Sequence, residues 1–199
     1  MSKLKAEHLH RSHDIRTQLR DEIQMIIGHA PAAYIAAAIL HSKLVAARLP
    51  AKTFICAGLL GGVAPDLDML YFHLIDQRQH HHHTYFSHWP IAWIGTLILS
   101  LIVYRQSDRS KAALLASAFC AAGVLHLILD SIVGDIWWFA PLVDQPYALF
   151  SVPARFSPWW LNFLLHWSFA LELGLWAWAV LLYRRRSKAS IHNQASASV

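Results

Sequence analysis

Five apolar stretches, separated by short polar segments, make up most of the chain. The three longest run over 89–104, 112–129 and 159–183, close to the roughly 20 residues with which a helix crosses a bilayer. The other two, 31–47 and 53–64, are interrupted by polar residues or are too short to cross alone. The pattern predicts an all-α, polytopic helical integral membrane protein with three transmembrane helices and two shorter or weaker membrane helices.

The two ends of the chain differ from this central part. Residues 1–28 are rich in charge, but Ile15 and Leu19 begin an apolar stripe at helical spacing, which predicts an amphipathic N-terminal extension. Residues 184–199 open with a basic run and continue with small polar residues, as is typical of a disordered tail. Between these ends, the helical membrane domain is predicted over 29–183.

Composition strengthens the membrane assignment. Hydrophobic residues make up 56% of the chain and charged residues only 15%, whereas a soluble domain carries about 25% charged residues. This deficit excludes a disordered chain, a coiled coil and a basic nucleic-acid-binding module. The two cysteines, Cys56 and Cys120, lie in apolar stretches and form neither a disulfide framework nor a zinc ribbon.

Charged residues divide between opposite ends of the apolar stretches. Basic residues concentrate in the loops 43–52 and 105–111 and after the last stretch, whereas aspartates concentrate in 65–88 and 130–158. Because basic loops stay in the cytoplasm, the acidic ends are predicted on the non-cytoplasmic face of the membrane. The lipid bilayer is therefore a predicted partner, and no nucleic-acid partner is expected.

The side chains that can bind metal collect at these acidic ends. His126 and Asp130 are four residues apart and project from one helical face, and the pair Asp66 and Asp68 follows a proline. Imidazole and carboxylate donors without a thiolate suit a divalent metal, zinc foremost, with manganese or iron as alternatives. The predicted ligands are His29, Asp66, Asp68, His83, His88, His126 and Asp130. Asp66 and Asp68 are also the predicted catalytic residues, because a carboxylate not fully engaged by metal can accept a proton from water.

Each of these motifs can also be explained as a structural feature that binds no metal. A Pro-Asp turn commonly caps a helix, and the histidine run 80–83 is compatible with a solvated interfacial patch. The occurrence of all these motifs together favours a metal site. Ionisable groups at membrane depth are energetically costly, so they are by default candidates for a functional site. We assign His41, His166 and Glu172 to packing or interhelical hydrogen bonds.

Four sequence blocks carry a resemblance to a known family. They are Gly28-His29, the segment 61–68 (GGVAPDLD), the segment 83–88 (HTYFSH) and the segment 123–130 (GVLHLILD), the last followed by Gly134 and the segment 138–141 (WFAP). In order and spacing they are similar to the bacterial LexA-binding, inner-membrane-associated metal-dependent hydrolases, over residues 28–142. Thr84, Tyr85 and Ser87 depart from the family pattern. The resemblance implies a bacterial inner membrane and, through a suggested distant relationship to zinc-dependent phospholipase C and single-strand nucleases, phosphoester hydrolysis.

A second resemblance is weaker. His126, Asp130 and Gly134 repeat the spacing of the last motif of membrane lipid phosphatases that use a phosphohistidine, but the earlier motifs of those enzymes are absent from the sequence. Arg78 and Arg155 are too few arginines for a phosphate cradle. The predicted function is therefore a membrane-bound metal-dependent hydrolase that acts on a phosphoester of a lipid or small amphipathic substrate through metal-activated water. The alternative is a non-catalytic metal-binding membrane protein with a structural, sensing or partner-docking role.

Overall fold

The computed structural model describes residues 27–45, 48–153 and 155–197. Within these ranges the chain is all-α, as predicted, and has no strand apart from one isolated β-bridge between Ile136 and Tyr147. The helices are α1 (His29–Leu40), α2 (Ala51–Val63), α3 (Asp68–Leu74), α4 (Pro90–Gln106), α5 (Lys111–Asp130), α6 (Trp159–Leu164) and α7 (Trp167–Ala197). Four short turns join them: a π-helical turn His41–Val45 and the 3-10 turns Pro65–Leu67, His82–Thr84 and Phe86–His88.

Helix α5 is long and apolar enough to cross a membrane by itself, and it alone meets that test in the part of the chain that is described. Helix α2 and the following helical segment Pro65–Leu74 meet it only together, as a pair bent by 53°, which is the geometry of a broken span or of a re-entrant loop. The prediction of three such spans is not met. Helix α4 has only 17 residues, and the apolar stretch 159–183 is divided between α6 and α7.

The predicted amphipathic extension lies outside the described residues, apart from Ile27 and Gly28. At the other end, α7 continues to Ala197, where the sequence predicts a disordered tail. Arginine and lysine are good helix formers, so the basic run 184–188 can continue the helix beyond the apolar stretch. Arg186 also donates a hydrogen bond from Nη1 to the carbonyl of Ala38, at 3.1 Å, which ties this end of α7 to α1.

Small residues bring the central helices into close contact. Helix α5 packs against both α2 and α4, and α1 packs against α2 and α7. Gly58 and Gly62 of α2 face the methyl groups of Ala37 and Ala33 on α1, a small-residue spacing that lets helix backbones approach. On another side of α2, a Cβ at Gly61 would overlap the backbone carbonyl of Phe119 on α5.

We expect Gly61→Ala to destabilise the protein, because the added methyl group must push α2 away from the α5 backbone. Overpacking of this kind costs about 1–3 kcal/mol. Thermal unfolding in one mild detergent should show the loss as a lower midpoint. Gly95→Ala on α4 is the matched control, since nothing lies within 4 Å of a Cβ there, and it should unfold at or above the wild-type midpoint. Equal midpoints for Gly61→Ala and wild type would refute the close approach.

Candidate metal centre

Histidines and aspartates from four separate parts of the chain meet at the C-terminal end of α5. His29 begins α1, Asp66 lies in the 3-10 turn after α2, and Asp68 begins α3. The loop before α4 and the last turn of α5 supply the others: His82, His83, His88, His126 and Asp130. All of these side chains are buried or nearly so except that of Asp66, which is 38% exposed. Asp66 therefore lies at the open side of the cluster.

Three imidazoles of the cluster are oriented by hydrogen bonds at their outer nitrogen, Nδ1. His126 donates from Nδ1 to the carbonyl of Gly62 at 2.8 Å, and His83 donates from Nδ1 to the carbonyl of Asp135 at 2.7 Å. His88 donates from Nδ1 to the carboxylate of Asp68 at 2.7 Å. With the proton on Nδ1, each ring turns the lone pair of Nε2 toward the centre of the cluster. Outer partners of this kind are typical of metal-binding histidines.

The donor atoms that face the centre lie at the spacing of ligands around one ion. Oδ2 of Asp130 is 2.9 Å from Nε2 of His126, 3.7 Å from Nε2 of His83 and 3.8 Å from Nε2 of His88. Oδ1 of Asp66 is 3.4 Å from Nε2 of His126. Two ligands that each bind an ion at about 2.0–2.2 Å lie roughly 3–3.6 Å from each other at tetrahedral or octahedral angles. The observed distances are close to this range.

The chemistry of these atoms also fits a cation. Within the described residues, Nε2 of His88, Nε2 of His126 and both oxygens of Asp130 are buried and make no hydrogen bond, although they lie close together. An imidazole lone pair that faces a carboxylate oxygen is repelled by it unless a positive charge lies between them. A proton supplies that charge for a single pair such as His126 and Asp130, whereas a divalent ion supplies it for several of these atoms at once.

Asp130 is shared between two sides of the cluster. While its Oδ2 faces His83, His88 and His126, its Oδ1 lies 3.0 Å from Nε2 of His29. The ring of His29 stacks on the ring of His126, with centroids 3.8 Å apart and planes inclined by 21°. His29 is thus part of the same cluster, on its α1 side.

Asp68 has a different position from the one predicted. Its Oδ2 accepts hydrogen bonds from Oγ of Ser87 at 2.5 Å and from Nδ1 of His88 at 2.7 Å. The carboxylate therefore lies behind the ring of His88 and acts on the cluster through that ring. This is the position of a residue that orients a ligand, whereas the sequence predicts a ligand and catalytic base.

His82 belongs to the cluster but is missing from the predicted ligands. Burial lowers the pKa of His82 to about 4, with a further contribution from the neighbouring His88. Burial also holds the pKa of His83 well below its usual value. Both rings are therefore neutral at neutral pH, as a metal ligand must be. The histidine run 80–83 was the available signal, but its spacing does not show which members point inward.

Glu172 supports the cluster from α7. Its side chain is fully buried, and Oε2 accepts a hydrogen bond at 2.8 Å from the backbone N–H of Ile27, two residues before His29. Trp176 donates from Nε1 to the carbonyl of Ile27, also at 2.8 Å. These contacts hold the beginning of α1, and with it His29. His166 lies outside the cluster and makes a local hydrogen bond with Ser168.

The donors form three overlapping groups that could each hold a metal ion. They are His88, His126 and Asp130; His29, Asp66 and His126; and His82, His83 and His88. Because His126 and His88 each belong to two groups and each has one nitrogen left for metal, the groups make one continuous centre. Nitrogen and oxygen donors without a thiolate suit zinc, manganese or iron.

The described part of the chain is a helical fold with one apolar helix of membrane-spanning length and a buried candidate metal centre. The model of the family described as YdjM inner membrane protein matches residues 24–191, and the chain belongs to this family. The expectation of a bacterial inner-membrane family is thereby confirmed. No curated protein and no solved structure is significantly similar to the chain.

Proposed function

We propose that this protein is a membrane-bound, metal-dependent hydrolase that acts on phosphoesters. The observation that carries the proposal is the convergence of Nε2 and carboxylate atoms at the spacing of metal ligands. In addition, hydrogen bonds at Nδ1 of His126 and His88 fix the orientation of these two rings. His88, His126 and Asp130 are the proposed primary ligands, with His83 and His29 next to them. Three protein ligands leave a position for water, as in catalytic zinc sites.

Residues of the chain supply the general base and hold the metal ligands in position. A divalent ion at this position would activate water as a nucleophile near neutral pH and polarise a phosphoryl oxygen. We assign the general base to Asp66, because it is the member of the cluster that solvent reaches. Water attacks phosphorus and its proton passes to Asp66; the ester P–O bond then breaks, and Asp66 returns the proton to the departing alkoxide, which leaves as the alcohol. Asp68 keeps His88 oriented throughout.

The proposed location is the non-cytoplasmic surface of the inner membrane, with several crossings. Helix α5 begins just after the basic loop 105–111 and ends in the metal cluster, so the two lie at opposite ends of a membrane-spanning helix. In addition to α5 and the bent segment of α2 and α3, we propose that α4 and α7 lie in the bilayer, because their apolar side chains are exposed. The substrate would then be a lipid or a small amphipathic molecule that reaches the site at the membrane surface.

Reporter fusions are expected to show this orientation. Alkaline phosphatase fused within 75–81 should be active, since it folds outside the cytoplasm, and the same enzyme fused within 107–110 should be inactive. Green fluorescent protein at the same two positions should give the opposite pattern. An active phosphatase at 107–110 would place the cluster on the cytoplasmic face and refute the proposed location.

A second candidate function is metal binding without turnover, for structure, sensing or partner docking. It is favoured by the near-complete burial of His83, His88, His126 and Asp130, none of which exceeds 1% exposure. A closed site with four protein ligands is typical of structural zinc. The half-exposed Asp66 and the cavity next to Asp68 favour the hydrolase.

An experiment in which the metal is removed and then restored distinguishes the two functions. The protein purified in mild detergent should contain stoichiometric metal and hydrolyse at least one member of a panel of phosphodiesters, phosphomonoesters and carboxylesters. A chelator should abolish the activity, and zinc or manganese should restore it. Stoichiometric metal without hydrolysis on the panel would support the non-catalytic function. Absence of metal would refute both and leave the cluster as a buried polar network.

A further inference from the structure

An apolar cavity of about 810 Å³ lies next to the metal cluster. It is bordered by the turn and helix α3 that follow α2, by the loop 85–87, and by α4 and α5. Its main walls are the side chains of Leu67, Tyr71, Phe86, Trp93, Thr96 and Phe119. Small-molecule sites are typically about 300–1,000 Å³, so the cavity is large enough for a ligand.

The walls of the cavity are largely apolar, and two of their polar atoms are taken up by bonds to the backbone. Trp93 donates from Nε1 to the carbonyl of Ser87 at 2.7 Å, and Thr96 donates from its hydroxyl to the carbonyl of Ala92 at 2.7 Å. At one end the lining changes to Asp68, whose Oδ1 is buried and makes no hydrogen bond within the described residues. The cavity thus has an apolar body and one polar end, and that end adjoins His88 of the metal cluster.

If α5 spans the membrane as proposed, the apolar body extends from the cluster toward the middle of the bilayer. Phe119 lies seven residues before His126 on α5, which corresponds to about 10 Å along the helix axis. At the outer rim, Leu67 is 63% exposed and Phe86 is 75% exposed, although both are large apolar side chains. In a membrane-spanning chain this rim faces lipid, so the cavity opens sideways to the hydrocarbon layer.

We propose that this cavity binds the alkyl chain of an amphipathic substrate while its phosphoester head lies at the metal centre. The identity of the head group rests on the proposed function, whereas the alkyl site rests on the cavity itself. The substrate class is therefore an alkyl or acyl phosphoester taken from the membrane.

Cys120 provides a test that does not need turnover. It lines the cavity, whereas Cys56 is exposed elsewhere, so a Cys56→Ser variant leaves Cys120 as the single thiol of the chain. We expect methyl methanethiosulfonate to modify Cys120 in this variant, as measured by mass spectrometry. Decylphosphonate should slow the modification about tenfold and butylphosphonate hardly at all, because each additional buried methylene group strengthens binding.

Chain-length selectivity gives a second test on matched variants. For soluble phosphodiesters, kcat/KM should be at least tenfold higher with an octyl chain than with a methyl group, because burial of even two of the seven additional methylene groups gives about this factor. Thr96→Trp fills the cavity and should bring this ratio close to one. Ile98→Trp is the control, because Ile98 lies on the same helix, is 52% exposed and does not line the cavity, and it should keep the wild-type ratio.

The two tests separate failure of the alkyl site from failure of the hydrolase. Equal protection of Cys120 by both phosphonates, absence of any modification, or a wild-type ratio near one would overturn the alkyl site. An Ile98→Trp variant that loses selectivity as Thr96→Trp does would overturn it as well. Chain-dependent protection of Cys120 in a protein that hydrolyses no ester would retain the site and refute the proposed function.

Discussion

Asp130→Asn is expected to lower metal affinity about a hundredfold or more. Asp130 is the residue that every side of the cluster shares: its two oxygens lie 2.9–3.8 Å from nitrogen atoms of His29, His83, His88 and His126. Asparagine keeps the shape of the side chain but removes its charge and one oxygen donor. Even residues that only orient a ligand change metal affinity about 10–100-fold, so the central carboxylate should have a larger effect. Metal content by mass spectrometry after dialysis against a weak chelator measures the loss.

Asp108→Asn is the matched control for this experiment. Asp108 lies in the basic loop before α5, at the opposite end of the helix from the cluster. Its replacement removes the same charge and should leave metal content unchanged. Thermal unfolding of both variants tests whether Asp130→Asn remains folded, and His88→Gln provides a second loss of a donor if it does not. Wild-type metal content in folded Asp130→Asn or His88→Gln would show that the cluster is not the metal site.

Asp66→Asn is expected to lower kcat by about 10²–10⁴ while the protein keeps its metal. Asp66 is exposed to solvent and lies 3.4 Å from His126, so its carboxylate can reach water at the centre, whereas Asp130 and the histidines remain to hold the ion. General bases contribute rate factors of this size. The measurement is kcat on the phosphoester that wild type hydrolyses, at saturating metal.

Asp68→Asn should behave differently, because Asp68 acts through His88. Loss of the acceptor for Nδ1 of His88 is expected to weaken metal binding about 10–100-fold. Added metal should then restore most of the turnover in Asp68→Asn but not in Asp66→Asn. If saturating metal restores Asp66→Asn and leaves Asp68→Asn inactive, the two assignments are reversed and Asp68 is the base.

Relationships within one helix could be predicted from the sequence. The spacing of His126 and Asp130 places both on one face, and α5 contains the whole predicted stretch 112–129. The apolar pattern likewise predicted an all-α chain, because helical periodicity is a local property of the backbone. The number of independent spans was predicted less well, since the break between α6 and α7 divides the predicted stretch 159–183 and α4 has only 17 residues.

The roles of the individual donors were decided by the tertiary structure. Asp66 and Asp68 look equivalent in the sequence, yet the 3-10 turn directs Asp66 toward His126 and Asp68 toward the outer nitrogen of His88. In the same way, the histidine run 80–83 does not reveal that His82 and His83 are buried while His80 is exposed. Side-chain direction in an irregular loop depends on what packs against it.

The cluster as a whole also depends on contacts between distant segments. Glu172 and Ile27 are 145 residues apart, and Gly62 and His126 are 64 apart. The sequence by itself determined the helical class, the membrane character and the His126–Asp130 pair, because composition and periodicity act locally. Only the close approach of α2 to α5, where Gly61 leaves room for the backbone of Phe119, decided which donors meet. No pattern along the chain encodes that approach, because it results from packing between helices.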